Sequence, residues 1–129
     1  MDTLRQPERG PVSRLGLDVE TWIDGGRAVV EVSGEVDCYS VPLLREELAQ
    51  LAAPRPLRIA VVMERVSFLD SAGIGVLIGA LKRARATGGR VALVGCSPHV
   101  GSMVRTMGLD KVFGLHADLE AALAWLDAR

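Results

Sequence analysis

The run from Leu57 to Met63 is the strongest constraint on this chain, because Arg58 is its only polar residue. A strand of that composition has no face to give to water, so it belongs inside a sheet covered on both sides. The segment Val66-Ser67-Phe68-Leu69-Asp70-Ser71-Ala72-Gly73-Ile74-Gly75 follows. It leads into a helix whose apolar residues Ile74, Leu77, Ile78 and Leu81 are spaced i, i+3, i+4 and i+7. Ser71 therefore stands where a strand turns into a helix. Unpaired backbone N–H groups and the positive end of the helix dipole gather at that point.

Upstream, Leu15 to Ile23 alternates, with Leu15, Leu17, Val19 and Thr21 on one face, and predicts a strand. Asp24-Gly25-Gly26 is a turn signal, and Ala28 to Val32 returns as the second strand of a hairpin. Gly34-Glu35-Val36-Asp37 is read as a polar break. Ser40 is placed as an N-cap with Pro42 in the first turn, before a helix carrying Leu44, Leu48 and Leu51.

Downstream, the Ser71 helix runs to about Ala86 and stops at Gly88-Gly89. Arg90 to Gly95 is a further strand. Ser97-Pro98 opens a short helix closed by Gly108, Val112 to Leu115 is a brief edge strand, and Asp118 caps a last helix. The expected fold is α/β, with the order β-β-α-β-α-β-α-β-α. It implies a mixed, mostly parallel sheet of 4–5 strands with about four helices. Residues 1–14 are polar, with two prolines and both charge signs, and are expected to be a flexible tail. Residues 15–129 then form one domain.

The chain balances 15 basic against 16 acidic residues, for a net charge of −1. That balance argues against a nucleic-acid-binding module and gives no support to a polybasic membrane contact. No apolar run reaches the ~20 residues of a membrane helix. Two distant cysteines, Cys38 and Cys96, with His99 and His116, cannot supply a zinc site of ordinary spacing, so no metal and no cofactor are expected. Reduced thiols fit a cytoplasmic protein.

Ser71 carries two compatible readings. As a local pattern, Asp70-Ser71 before an apolar helix is a capping device. The same hydroxyl, if exposed, can carry a phosphate, which adds about −1.5 to −2 charges and which helix N–H groups such as those of Gly73 and Ile74 could receive. A hydrolase reading places Ser71 as nucleophile with Asp110 and His116. Leu69 stands where the sharp turn of such enzymes needs glycine. Gly73, Gly75 and Gly79 imitate a nucleotide-binding motif at the wrong spacing, and close packing of the helix on the sheet through Gly75 and Gly79 is the simpler reading. Asp37 alone is a loop carboxylate. His99 and His116 are read as solvated or satisfied, and Trp22 and Trp125 as partial core.

With these residues placed, the chain resembles the STAS family, specifically its bacterial anti-sigma-factor antagonists, over about Leu15 to Leu126. Gly34-Glu35-Val36-Asp37 is similar to the family's G-E-L-D segment. Phe68 to Leu77 resembles its D-S-x-G helix start, and Ser97-Pro98-His99-Val100 with Met107-Gly108-Leu109 resembles its third-helix segment. Gly101-Ser102-Met103 departs from it, standing where a larger charged residue is often found.

The resemblance implies a protein that is not an enzyme. Its unphosphorylated form binds an anti-sigma factor, which is also an ATP-dependent serine kinase, and so releases a sigma factor for transcription. Phosphorylation of Ser71 abolishes binding, and a serine phosphatase restores it. Asp37, Asp70, Ser71, Ala72 and Gly73 form the implied partner surface, on a monomer or weak dimer. The alternative within the fold is a non-switching STAS subunit of a lipid-transport or signalling assembly.

Overall fold

The computed structural model describes residues 6–51 and 55–128. Six strands lie in one sheet in sequence order. These are β1 (Gln6–Arg14), β2 (Leu17–Asp24), β3 (Arg27–Val36), β4 (Arg58–Leu69), β5 (Arg90–Val94) and β6 (Gly114–His116). Four α-helices connect or follow them: α1 (Val41–Ala49), α2 (Ser71–Ala86), α3 (Pro98–Thr106) and α4 (Leu119–Asp127), with a 3₁₀ turn at Leu109–Lys111. Strands β1, β2 and β3 pair antiparallel, and β3 to β6 pair parallel.

The sheet thus has six strands where 4–5 were expected, and the extra one comes from the expected tail. Residues 6–14 pair with β2, with irregular register between Pro7 and Val12. Prolines and charges suggested a loose segment, but an edge strand has one side without a partner and tolerates both. Leu15 also moves. It sits at φ 49° in the two-residue turn Leu15-Gly16, 64% exposed, rather than on the buried face of β2.

Helices α1, α2 and α3 cover one face, over Val30, Ile59, Val61, Met63, Val91 and Leu93. The other face of the central strands carries Ala60, Ala92 and Val94 beneath Ala122 and Leu126 of α4. This is why the Leu57–Met63 run is apolar without alternation: β4 is buried from both sides. Fully burying one Leu or Val contributes about 1.5–3 kcal/mol, so this core fixes the sheet and the helix axes on it.

Strand β4 continues past the apolar run to Leu69, and β3 continues to Val36. Gly34-Glu35-Val36, expected as a break, is the end of β3. Here Val36 is opposite Leu69 and Glu35 is opposite Phe68. Local composition did not show the extension because these residues hold their strand by pairing with one another. Gly34 lies at φ +106°, and a Cβ there would come within 2.0 Å of the Gly16 carbonyl oxygen. The turn before β2 presses on β3 at that point, so only glycine fits.

Candidate functional site

The parallel strands β3, β4 and β5 all end at one edge of the sheet, where α1, α2 and α3 begin. In open α/β sheets that edge is where ligands and partners are commonly met. Two connections there are held by well-defined local bonds.

The first is Asp70-Ser71. Asp70, not Ser71, is the N-cap of α2, and its Oδ1 accepts the N–H groups of Ala72 at 3.0 Å and Gly73 at 3.2 Å. The Asp70 carbonyl oxygen accepts the Ile74 N–H at 3.1 Å. The amides expected to receive a phosphate, those of Gly73 and Ile74, are therefore already engaged. Ser71 is exposed in the first turn and takes no part in the cap. Any charge added to its hydroxyl stands beside the Asp70 carboxylate.

The second connection runs from Asp37 to Ser40. Asp37 Oδ1 accepts the N–H groups of Tyr39 and Ser40, both at 2.9 Å. The Ser40 N–H, then burial working against it, then the Tyr39 N–H set the balance that holds the Asp37 carboxyl below the usual carboxylate range. Ser40 occupies the N-cap position of α1 but makes no side-chain cap. It is fully buried. Its hydroxyl donates to the Glu35 carbonyl oxygen at 2.7 Å and accepts the Asp37 N–H at 3.1 Å. Ser40 is thus the buried pin of the Asp37 turn. The sequence carried only a polar residue before Pro42, which looks the same as an ordinary cap.

Gly73 is buried, and a Cβ on it would fall 2.3 Å from Leu69 Cδ1 and 2.8 Å from Val36 Cγ1. The close-packed glycine of α2 is therefore Gly73. Gly75 and Gly79, expected to pack on the sheet, are exposed, and a Cβ on either would meet nothing within 4 Å. Aromatic side chains also surface near this edge: Tyr39 is 71% and Phe68 46% exposed.

The structure does not assemble the hydrolase triad. His116 lies in β6, two strands from β4, or about 10 Å away at ordinary strand spacing. Its ring packs on Trp125 at 5.4 Å between centroids, and its buried Nε2 has no hydrogen-bond partner among the described residues. His116 is thus half-buried, with one ring nitrogen, Nε2, neither solvated nor satisfied. Arg90 stacks on the Trp125 ring at 4.7 Å, so this tryptophan lids the far face of the sheet. Among the described residues, no cluster of three or more His, Cys, Asp or Glu could hold a metal ion, and no helix is long and apolar enough to cross a membrane.

Residues 18–122 match the family model of the STAS domain. The chain is 32% identical over 109 residues to the anti-sigma-B factor antagonist of Bacillus subtilis, covering 84% of this chain and 99% of that protein. It superposes on the crystal structure of an anti-sigma factor antagonist from Mycobacterium paratuberculosis with a TM-score of 0.78 and 27% identity, over 91% of this chain and all of that one. The Bacillus cell fate determinant SpoIIAA in its phosphorylated form gives a TM-score of 0.63 at 26% identity, over 94% and 97% of the two chains. With the six-stranded sheet, the four helices and the D-S-x-G turn all in place, this chain belongs to the STAS domain family.

Proposed function

We propose that this protein is an anti-sigma-factor antagonist of the bacterial cytoplasm, switched by phosphorylation of Ser71. The observation that carries the reading is Ser71 itself, exposed in the first turn of α2 while Asp70 does the capping. Its hydroxyl is available to a modifying enzyme without loss of the helix end. The names of the relatives, antagonists of anti-sigma factors, support the same reading, as does the existence of a phosphorylated form of SpoIIAA.

The switch follows from charge. In the unphosphorylated state, Asp37, Asp70, Ser71 and Ala72 present a rigid surface to an anti-sigma factor that is also the serine kinase, while Gly73, expected on that surface, is buried beneath it and holds α2 against Leu69 and Val36. A dianion on Ser71 would face the Asp70 carboxylate, with the amides of Gly73 and Ile74 already committed. In a desolvated interface, an uncompensated charge of this kind costs several kcal/mol, on the order of measured penalties for broken buried pairs. Each ~1.4 kcal/mol is tenfold in affinity, so binding is lost without any refolding of the antagonist. A phosphatase reverses the state.

The test uses the anti-sigma factor kinase encoded nearest this chain. Incubation with ATP and peptide mapping by mass spectrometry should place one phosphate on Ser71. Ser71→Ala should keep wild-type affinity, and Ser71→Asp should weaken it at least tenfold. Phosphate on another residue, or equal affinities for the two variants, overturns the reading.

A further inference from the structure

A groove of about 470 Å³ runs between α1 and α2, and of the residues placed on the Ser71 surface only Ala72 lines it. Leu48 of α1 and Val76 and Ala80 of α2, each more than nine-tenths buried, form its apolar floor, and it begins at Ala72, next to Ser71. Gly75 and Gly79 open its α2 side. They are exposed, and added Cβ atoms would touch nothing, so internal packing does not require glycine at either position. Alanine would be the better helix former in both places. Residues four apart form the ridges by which helices interlock, and a row without side chains is a ready groove for the ridge of a crossing helix. From Ala72 to Arg83 this face spans about 16 Å, or three turns.

Charge narrows the occupant. Arg45 and Arg83, both exposed, stand at the rim, and among the described residues no carboxylate lines the groove. Arg83 is partly engaged, since its guanidinium donates to the Leu48 carbonyl oxygen. No hydrogen bond or ion pair with a described residue engages Arg45. An apolar trough with two cationic rims fits an amphipathic helix that carries acidic residues beside its apolar stripe.

We infer that this groove is a second docking element for the anti-sigma factor, receiving one acidic amphipathic helix of that partner alongside α2 while Ser71 is read at its end. The inference rests on the reading of Ser71 given above. It adds to it a specificity element that phosphorylation does not touch.

The experiment titrates the purified anti-sigma factor against the wild-type chain and against Gly79→Leu, Arg45→Glu and Ser71→Asp, with thermal melts of each. Gly79→Leu fills the groove, and Arg45→Glu reverses a rim charge. Each should weaken binding at least tenfold, with a melting temperature no lower than that of the wild type, since leucine is a better helix former than glycine. An acid-to-lysine substitution on the partner's helix should recover the Arg45→Glu loss. Should Gly79→Leu fail to fold, Arg45→Glu and its rescue decide. Loss with Ser71→Asp while both groove variants bind like wild type overturns the groove and leaves the Ser71 switch standing. Loss with the groove variants while Ser71→Asp binds normally supports the groove and overturns the switch. A wild-type dimer that Gly79→Leu dissociates, with partner affinity unchanged, assigns the groove to a second copy and overturns the proposal. So does a wild-type chain that binds no anti-sigma factor.

Discussion

The Asp70 amide donates to the Val36 carbonyl oxygen at 3.2 Å. That bond ties the start of α2 to the end of β3 and sets the Asp37 turn beside the Ser71 turn. Neither turn is close to the other in sequence. The register that pairs Val36 with Leu69 makes them neighbours, and with them the two carboxylates that border the candidate docking surface.

Asp70→Ala removes the acceptor for two α2 amides. Losing an N-cap of this kind costs about 1 kcal/mol, so the melting temperature should fall by about 3–5 °C. Asp70→Asn keeps the acceptor oxygen and should recover most of the loss. Thermal denaturation followed by circular dichroism checks this; an unchanged Asp70→Ala melt would mean that the cap is replaced by another group.

Gly73→Ala and Gly75→Ala should move stability in opposite directions. The first drives a methyl into Leu69 and Val36, both fully buried, and should destabilise by about 1–2 kcal/mol. The second meets open space and should stabilise by about 0.5–1 kcal/mol through helix propensity. Urea titration of the pair measures both signs, and equal effects would contradict the packing described for α2.

The Asp37 turn should loosen in acid. Its folded carboxyl titrates below the ordinary value, so its contribution is complete above about pH 4 and is lost as pH falls through the lower folded value. Hydrogen exchange of the Tyr39 and Ser40 amides should therefore stay protected through the mildly acidic range and open only below it. In Asp37→Ala the extra exchange should be present at every pH. Protection indifferent to Asp37→Ala would place the support of this turn elsewhere.

Cys38 is exposed, whereas Cys96 is half-buried with its thiol pushed up by burial against a smaller opposing pull from Arg105. Alkylation near neutral pH should modify Cys38 at least tenfold faster, as read by mass spectrometry over time. Comparable rates would show that the β5 end of the sheet opens readily.

Much of this protein was legible before any coordinates. The Leu57–Met63 run reads as a doubly covered strand, and the period from Ile74 to Leu81 as a helix on that sheet, and both are so in the structure. The caps at Ser97 and Asp118 are where the sequence placed them, accepting the Val100 and Ala121 N–H groups. The end of α2 at Ala86 is also as expected. These features follow from local chemistry, in which hydrophobic period, capping oxygens and glycine stops act within a few residues.

Other features are decided only by what meets across the fold. The first strand was hidden because an edge tolerates the prolines and charges that mark a tail. Gly73, Gly75 and Gly79 are indistinguishable as letters on one helix. Only the packed structure shows that Gly73 faces Leu69 and Val36 while the other two open a groove. Ser40 reads as a cap, yet tertiary burial makes it the pin of the Asp37 turn. The sequence determined which segments could be strands and helices, because those preferences act over short range. The structure alone decided which side chains face inward, which face outward, and which distant turns share a surface, because these depend on strand register and helix rotation.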